Sequence, residues 1–404
     1  MYILAKIANL YLFISYTFVA AYQGFTMDVH FLYENDPFLT TVIGLAVISL
    51  FVQLGYYIFV FRKLAFYTHA DMNSENKPVS IIISARNEFE NLNKNIQSVL
   101  EQDYPEYQVI IVNDCSWDNT KEFLEGIEKK YPHLKVVTIV EQEKYRRGKK
   151  FALTLGIKAA RFDYLLFTDA DCKPSSKNWL RRMQSSFVNR KEIVLGYGAF
   201  EKENTFINKL IRYEAFYVAT QYLSFALHGM PYMGVGRNLA YKKEMFFANK
   251  GFARHNHILS GDDDLFVNEV ATKNNVAIQI HPESFTYSAP KKNLSTWLVQ
   301  KVRHVSTVHY YKKKHRITLF INHLSQVLFY VSLITLLVLG FDWRIILAIY
   351  VFRLAIQLFI FGRNMKKLKE FDLFPFVPLF DFILFIFYPV VGITSKFTKN
   401  ILWK

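Results

Sequence analysis

Acidic side chains at two places in the sequence have the spacing of a reactive site. The first pair, Asp169 and Asp171, follows the apolar segment Tyr164–Thr168 and is separated by one residue. In extended backbone, side chains two positions apart point to the same side, and two such carboxylates suit a hard divalent cation that also binds phosphate oxygens. The alternative is a solvated acidic turn. Because the strand holds no charged residue after Asp163, we favour the metal site.

The second acidic group, Gly261-Asp262-Asp263-Asp264, leads into a helical pattern. Three adjacent carboxylates repel one another, so the pKa of at least one of them should rise, which suits a general base. The first turn of a helix also favours Asp because of the helix dipole. Composition alone does not separate these two interpretations.

Asp114 is a further acid in a position that suits ligand binding, because it directly follows the apolar segment Gln108–Asn113. A carboxylate at the carboxyl end of a parallel strand faces the ligand crevice, where it can accept a hydrogen bond from a base or a sugar hydroxyl. The alternative is that an Asp or Ser of this loop caps the following helix.

Basic side chains occupy positions that suit anions. Gly148 and Lys149 open a predicted helix, whose N-terminus attracts phosphate; a merely basic surface is an equal alternative, and the spacing of an ATP-binding P-loop is absent. Gln300 and Arg303 are three residues apart and share a helical face, and the guanidinium offers a fork for phosphate. The basic run Lys312–Arg316 should contact anionic lipid headgroups.

An α/β domain is predicted to position these groups. Between residues 67 and 316, short apolar runs alternate with amphipathic helical patterns, which predicts a largely parallel sheet with ligands at the carboxyl ends of its strands. The predicted strands are Val79–Ser84, Gln108–Asn113, Lys135–Val140, Tyr164–Thr168 and Ile193–Gly198. The predicted helices are Glu88–Glu101, Asn119–Tyr131 and Lys150–Ala160.

Apolar segments at both ends of the chain predict transmembrane helices. Ile7–Tyr22 and Phe38–Phe61 approach the roughly 20 residues needed to cross a bilayer, although the first could instead be a signal peptide. Arg353 and Asp381 lie near the middle of two later segments, so we predict that they face each other or line a polar cavity. These later segments are Leu319–Leu339, Trp343–Phe361 and Leu373–Val391.

Charged flanks orient the predicted spans, because Lys and Arg stay on the cytoplasmic side. The loop 23–37 has acids but no Lys or Arg, whereas Arg62 and Lys63 directly follow the second span, so the central domain should be cytoplasmic. The last span is ambiguous. A full crossing would place Lys396, Lys399 and Lys404 outside, and the prolines of this segment permit a re-entrant helix instead.

Composition narrows the class of protein. The 404 residues allow two or three domains, and 51% of them are apolar, which excludes a disordered or collagen-like chain. Two cysteines exclude a disulfide scaffold and suggest a reducing compartment. The net charge of +15 suits nucleic acid, a membrane surface or a phosphorylated ligand, but no base-stacking or groove-reading motif supports nucleic acid.

Taken in this order, the motifs resemble those of membrane-embedded family 2 glycosyltransferases with the GT-A fold. The segment Val79–Glu88 is similar to the family's first strand and nucleotide loop, with Ser84 where Pro is common. The resemblance implies that Asp169 and Asp171 form a DxD motif that binds Mg²⁺ or Mn²⁺, with Asp171 as the more direct ligand. The nucleotide-sugar contacts that it implies are Ala85, Asn87, Glu88, Asp114, Lys149, Asp169, Gln300 and Arg303.

The resemblance also implies which acid is the base. When the family's E-D-x-D-L motif is aligned on its last two residues, Asp262 is the base and Gly261 replaces Glu; Asp263 is the base if the register shifts by one. The family's Q-x-x-R-W motif ends here in His304 rather than Trp, which weakens any prediction of processive chain growth.

The function implied is an inverting, metal-dependent sugar transfer from a nucleotide diphosphate sugar, expected to carry UDP. The acceptor is a hydroxyl of a lipid, lipid-linked or glycan molecule at the cytoplasmic face of a membrane, most simply a bacterial inner membrane. The alternatives are a processive polysaccharide synthase and a non-catalytic membrane scaffold, and a partner subunit is compatible with each. The predicted organisation is two spans in residues 1–66, a GT-A domain in 67–300, an amphipathic basic interface helix in 301–318 and transmembrane or re-entrant segments in 319–404.

Overall fold

The structure, a computed structural model, describes residues 36–68, 75–140, 148–258 and 260–397. Its central domain is built on seven strands: β1 (Val79–Ala85), β2 (Tyr107–Asp114), β3 (Leu134–Ile139), β4 (Tyr164–Phe167), β6 (Ile193–Gly196), β8 (Leu239–Lys242) and β9 (Val276–Gln279). They form one sheet in the order β3-β2-β1-β4-β8-β6-β9. Only β8 runs antiparallel to its neighbours in this sheet, so the sheet is mostly parallel, as predicted.

The predicted alternation of strands and helices is confirmed for the first half of the domain. Strands β1 and β2 are rich in Val and Ile and are buried along nearly their whole length, as expected for strands covered on both faces. The helix Lys149–Ala159 packs so closely on this sheet that a Cβ at Gly156 would come within 2.7 Å of Ile82. The helices that follow β1, β2 and β3 are α2 (Phe89–Leu100), α3 (Thr120–Glu128) and α4 (Lys149–Ala159).

The predicted strand Ile193–Gly198 is wrong in its second half. The chain leaves the large sheet after Gly196, because the side chain of Asn238 fills the space beside this glycine, 2.5 Å from where a Cβ would stand. Tyr197 turns the chain, and β7 then joins a smaller sheet in the order β5-β10-β7. The strands of this smaller sheet are β5 (Cys172–Pro174), β7 (Gly198–Phe200) and β10 (Thr286–Ser288).

The second half of the domain contributes helices that surround the site. The long helix α6 is buried along most of its length, so it lies inside the molecule rather than on its surface. The helices are α5 (Trp179–Gln184), α6 (Phe206–Leu227), α7 (Lys243–Ala248), α8 (Asp264–Val270) and α9 (Leu294–Ser306).

Four helices in the described part of the chain are long and apolar enough to cross a membrane. They are α1 (Pro37–Ala65), α10 (Lys313–Val338), α11 (Trp343–Lys367) and the segment Phe371–Ser395, which includes most of helix α12 (Val377–Phe397). Helix α1 contains a π-helical stretch at Tyr56–Phe61 and packs on α10, where the Tyr56 hydroxyl donates to the Thr318 carbonyl at 2.6 Å. The predicted span Ile7–Tyr22 and the C-terminal Lys399 and Lys404 lie outside the described residues.

The prediction of one helix over residues 301–318 is wrong. The segment is divided between the end of α9, a 3₁₀ turn at Thr307–Tyr310 and the first turn of α10. The chain is extended at Tyr311, because its hydroxyl is drawn inward to donate to Asp264 Oδ2 at 2.7 Å. The basic residues at the start of α10 therefore belong to one of the four helices that are long and apolar enough to cross a membrane.

The predicted pairing of Arg353 and Asp381 is confirmed. Nη1 of Arg353 lies 2.6 Å from Oδ2 of Asp381, and both side chains are almost fully buried between α11 and α12. Neutral groups from α1, α10 and α11 complete the cluster, which satisfies the hydrogen bonds of both charges. The members that contact Arg353 or Asp381 are Gln53, Tyr57, Gln326, Tyr330 and Gln357.

Helix α12 packs against helices of the central domain. Phe387 stacks on Trp297 of α9 with ring centroids 4.4 Å apart. The hydroxyl of Tyr388 donates to Glu214 Oε1 of α6 at 3.3 Å. These contacts place the later turns of α12 beside α6 and α9. The re-entrant alternative for this segment stays a prediction.

Candidate active site

The DxD acids lie where β4 ends. Asp169 Oδ1 accepts a hydrogen bond from Lys149 Nζ at 2.8 Å, and the same Nζ lies 3.0 Å from Asp262 Oδ2. Lys149 stands at the first position of α4, so the helix that follows β3 carries this cation to the end of β4. One ammonium therefore joins the acid of the DxD motif to the acid predicted as base.

The electrostatics of this group follow from burial and close charges. Burial opposes the charge on Lys149, but the carboxylates of Asp169 and Asp262 raise its pKa well above the ordinary value. Burial likewise opposes ionisation of Asp169, yet the ammonium of Lys149 lowers the pKa of this carboxyl. Burial and the charge of Asp169 raise the pKa of Asp171, and the charges of Arg237 and Lys291 oppose this rise without reversing it. Asp171 is therefore the acid that gains most from an added cation.

The donor set at this position fits a divalent metal. Ligand atoms of Asp169, Asp171 and Cys172 all lie within 4.8 Å of one another. Two carboxylates supply the hard oxygen ligands that Mg²⁺ and Mn²⁺ prefer. Cys172 is buried, and burial raises the pKa of its thiol well above the ordinary value, so the carboxylates are the better ligands.

The three consecutive acids Asp262, Asp263 and Asp264 have different surroundings. Asp263 accepts from the backbone N–H of Gly236 at 2.6 Å and from that of Asp264 at 2.8 Å. Asp264 accepts from the hydroxyls of Thr307 and Tyr311, so it ties this turn to the segment that leads into α10. Asp262 is paired with Lys149, and a tenth of its side chain is exposed.

The expected rise of a pKa in this cluster is confirmed. Burial, followed by the charge of Asp262, raises the pKa of Asp263 to about 7. Burial also raises the pKa of Asp264, although its two hydroxyl donors oppose the shift. The capping interpretation holds at the same time, since Asp263 is the N-cap of α8.

Gln300, Arg303 and His304 lie on α9 and line the same cavity as the acids. The charge of Arg303 is close enough to Asp169 to contribute to its lowered pKa. Gln300 Oε1 is buried without a hydrogen-bond partner among the described residues. Burial and the cations Lys301 and Arg303 lower the pKa of His304 well below the ordinary value, so the group in the place of Trp is a neutral imidazole.

The predicted nucleotide loop follows β1, and contacts with the loop after β2 hold it in place. Ala85 is buried and pairs in register with Asn113. Asn87 has a positive φ of 55°, and its Oδ1 accepts from the backbone N–H of Trp117 at 3.0 Å. Glu88 lines the cavity, and burial raises the pKa of its carboxyl.

Asp114 is buried at the end of β2, and it is not among the described residues that line the cavity. The helix-capping alternative applies to Asp118 instead, whose carboxylate accepts from the backbone N–H groups of Thr120 and Phe89. The predicted contact of Asp114 with a nucleobase therefore stays a prediction.

One cavity of about 900 Å³ connects these groups. Both sets of acids line it, as do α6, α9, α10 and α12, so the cavity extends from the ends of the strands to the membrane helices. The predicted site residues that line it are Glu88, Lys149, Asp169, Asp171, Asp262, Asp263, Gln300 and Arg303.

Arg237 and Glu214 are charged groups of the cavity that were not predicted from the sequence. Arg237 donates to the Ala199 carbonyl at 3.1 Å and to the Ser288 hydroxyl at 2.7 Å, and its charge acts on both Asp169 and Asp171. Glu214 of α6 forms an ion pair with Lys301 of α9. A lone acid among the apolar residues of α6 was the available signal for Glu214, whereas no pattern in the sequence distinguishes Arg237 from other surface arginines.

Residues 80–248 match the family model for glycosyl transferase family 2. The chain is 17% identical to the mannosyltransferase PcManGT of Pyrobaculum calidifontis, whose structure was solved in complex with GDP-Man and Mn²⁺. The TM-score is 0.57, and the alignment covers 86% of this chain and 98% of that one. The predicted GT-A fold is therefore confirmed, and residues 80–248 are similar to glycosyl transferase family 2.

Two curated relatives match over part of their lengths. The poly-beta-1,6-N-acetyl-D-glucosamine synthase of Staphylococcus epidermidis is 36% identical over 119 residues, which are 29% of this chain and 27% of the relative. Glycosyltransferase AglE of Haloferax volcanii is 36% identical over 106 residues, which are 26% of this chain and 33% of the relative. The chain thus spans about a third or less of these relatives, and the shared part supports the predicted enzyme class, a glycosyltransferase.

Proposed function

We propose that the protein transfers a sugar from a nucleotide diphosphate sugar to a hydroxyl of a lipid, lipid-linked or glycan acceptor. The observation that carries this proposal is the convergence of Asp169, Asp171 and Asp262 on one cavity with the cations Lys149 and Arg303. Acids and fixed cations in a partly buried site are what displacement of a diphosphate requires. The mannosyltransferase of similar fold binds GDP-Man, so we propose a nucleotide sugar as donor, with UDP as the expected nucleotide.

The proposed reaction is an inverting displacement. Asp262 takes the proton from the acceptor hydroxyl, and the acceptor oxygen forms a bond to the anomeric carbon. The bond from that carbon to the diphosphate oxygen breaks, and the nucleoside diphosphate leaves with the electron pair. Asp262 is better placed as base than Asp263, because backbone N–H groups already donate to both carboxylate oxygens of Asp263.

The chain's own cations would stabilise the leaving diphosphate. Lys149 and Arg303 face the DxD acids, and fixed charges in a site of low water content act strongly on developing negative charge. Asp171, with Asp169, would hold Mg²⁺ or Mn²⁺, and such an ion supplies Lewis-acid stabilisation of the diphosphate. We further propose that Ala85, Asn87, Glu88 and Asp114 contact the nucleotide, since the loops after β1 and β2 are joined by hydrogen bonds.

The membrane arrangement supports a site at the cytoplasmic face. Arg62 and Lys63 lie near the end of α1, and four basic residues lie between positions 363 and 369, in the last turns of α11 and just after it. The charge rule favours the cytoplasmic side for both ends. The proposed location is a bacterial inner membrane, with residues 67–300 in the cytoplasm and the first turn of α10 at the lipid headgroups.

A processive polysaccharide synthase is the second candidate, favoured by the match to the poly-beta-1,6-N-acetyl-D-glucosamine synthase. His304 opposes it, because an imidazole offers a sugar ring a smaller stacking surface than the indole of Trp. A non-catalytic scaffold remains the third candidate, and it would not require the acids.

The test uses the purified full chain and a panel of radiolabelled nucleotide sugars with and without Mn²⁺. We expect consumption of one donor, and we expect Asp262→Asn to reduce the rate at least about 100-fold, since general bases contribute 10²–10⁴-fold. Asp103→Asn, an exposed acid outside the site, is the matched control and should leave the rate unchanged. Equal rates in wild type and Asp262→Asn would support the scaffold, and a ladder of product lengths would support the synthase.

A further inference from the structure

The cavity that holds the acids continues between two membrane helices, beyond what the transfer of a sugar requires. On the side away from the strands it is lined by residues of α10 and α12, many of them apolar. The apolar members of this wall are Leu319, Phe320, Leu324 and Val327 of α10, and Leu384, Phe385, Pro389 and Ile393 of α12.

The wall reaches the outer surface of the membrane helices. Phe320 and Ile393 both line the cavity, yet 62% and 60% of their surfaces are exposed in the described part of the chain. In a bilayer, the exposed surface of such helices faces hydrocarbon. The cavity therefore opens sideways, toward the cytoplasmic leaflet, rather than toward the far face of the membrane.

A polar collar separates the apolar wall from the acids. We define this collar as Glu214, Lys301, His323 and Tyr388, all of which line the cavity. Glu214 and Lys301 are ion-paired, and Tyr388 donates to Glu214 at 3.3 Å. The imidazole of His323 lies 4.7 Å from the Tyr388 ring, and its Nδ1 is buried without a hydrogen-bond partner among the described residues.

A buried polar collar between reactive acids and an apolar wall suits the binding of an amphiphilic molecule, which has a polar headgroup and a hydrocarbon chain. Burying Nδ1 of His323 without a partner costs free energy unless a ligand supplies the hydrogen bond. Hydrocarbon that enters from the leaflet gains about 0.8 kcal/mol for each methylene that it buries against protein rather than water. A free glycan would leave the apolar wall uncovered and would have no reason to use the lateral opening.

We propose that the acceptor is a membrane lipid with a hydroxyl-bearing headgroup, which enters sideways between α10 and α12. Its hydrocarbon chain lies along the apolar wall, and its headgroup binds the collar so that the hydroxyl reaches Asp262. This inference rests on the proposed sugar transfer and names the acceptor class for the same site. The balance of bonds is that given above, with the lipid hydroxyl as the oxygen that attacks.

The experiment compares two variants that add the same bulk to the same helix. Leu324→Trp places an indole in the lateral opening, whereas Val331→Trp, at an exposed position that does not line the cavity, is the matched control. The full chain is reconstituted into inverted vesicles made from membranes of the organism that encodes it. The donor is the radiolabelled nucleotide sugar that the purified protein consumes.

Two quantities are measured, namely sugar transferred to material that extracts into chloroform–methanol, and donor hydrolysed by water. We expect transfer to lipid in wild type and Val331→Trp, and a loss of about tenfold or more in Leu324→Trp with hydrolysis unchanged, because only the acceptor path is blocked. Retained hydrolysis shows that the variant is folded.

The possible failures are distinguishable. If no donor is consumed or hydrolysed, the proposed function itself is wrong. If donor is consumed but label stays in water-soluble or polymeric product, or if Leu324→Trp transfers to lipid as well as Val331→Trp does, then the lipid passage is wrong and the sugar transfer stands.

Discussion

Replacing Asp381 with Asn tests whether the charged cluster between α11 and α12 holds the membrane helices together. Four donors point at its carboxylate: Arg353 Nη1 and the Tyr330 hydroxyl at 2.6 Å, Gln357 Nε2 at 2.8 Å and Gln326 Nε2 at 3.1 Å. Asn offers a single acceptor oxygen and adds an NH₂ that faces these donors. The guanidinium of Arg353 would keep its charge in a buried, apolar region without a counter-ion.

The expected cost is large because it combines a lost ion pair with an unpaired charge. Removing one partner of a buried pair costs about 3–5 kcal/mol. At roughly 2–4 °C per kcal/mol for a domain of this size, the melting temperature should fall by about 10 °C. The double variant Arg353→Gln, Asp381→Asn removes both charges and should recover a large part of this loss.

The melting temperature can be followed with a thiol-reactive dye, since Cys172 is buried and becomes accessible on unfolding. Asp342→Asn is the matched control, because Asp342 is the N-cap of α11 and Asn caps a helix equally well. It should change stability by no more than about 0.5 kcal/mol. If Asp381→Asn melts within 2 °C of Asp342→Asn, or if the double variant is less stable than the single one, the reasoning is refuted.

Three further predictions concern the site and the topology. The pKa of Asp263 is raised to about 7 in the folded state, against about 3.9 in the unfolded chain, so the contribution of this carboxyl to stability is present at acidic pH and is lost as the pH rises through 7. The melting temperature of the metal-free wild type should therefore fall more between pH 6 and 8 than that of Asp263→Asn. Parallel profiles of the two proteins would contradict this. Lys149→Met should bind Mn²⁺ more tightly than wild type in an electron paramagnetic resonance titration, because the substitution removes the ammonium that competes with the metal for Asp169 and Asp262. Weaker binding would show that the lysine supports the metal. In a cysteine-free background, Thr394→Cys should react with an impermeant maleimide only from the cytoplasmic side, and labelling from outside would establish a full crossing by α12.

The sequence was sufficient to predict the fold, and most of the site residues predicted from it line one cavity. Strands β1, β2 and β4 are mainly apolar, and an Asn or Asp lies at the end of each strand or two residues beyond it. This local pattern alone predicts both the strand and the position of its ligand-binding end. Likewise, Arg353 and Asp381 could be paired because a charge near the middle of an apolar span is costly unless another charge compensates it.

Only the tertiary structure decided how groups far apart in sequence meet. Lys149 lies 20 residues before Asp169 and more than 100 before Asp262, yet one ammonium contacts both. Glu214 of α6 and Lys301 of α9 form an ion pair, although no repeating pattern in the sequence relates these two helices. The division of residues 301–318 into three elements arises because Tyr311 is drawn to the buried Asp264, which is a long-range contact.

The difference has one physical reason. The informative sequence patterns extend over only a few residues: the spacing of apolar side chains, acids at strand ends and charges inside apolar segments. The sequence by itself therefore predicted most of the elements, the acids Asp169 and Asp171 and the long apolar helices. The junction between the catalytic domain and the membrane depends on side chains such as Phe387 and Trp297, which meet only after the chain has folded. Packing therefore decided that α12 lies beside α6 and α9, and that one cavity joins the acids to residues of α10 and α12.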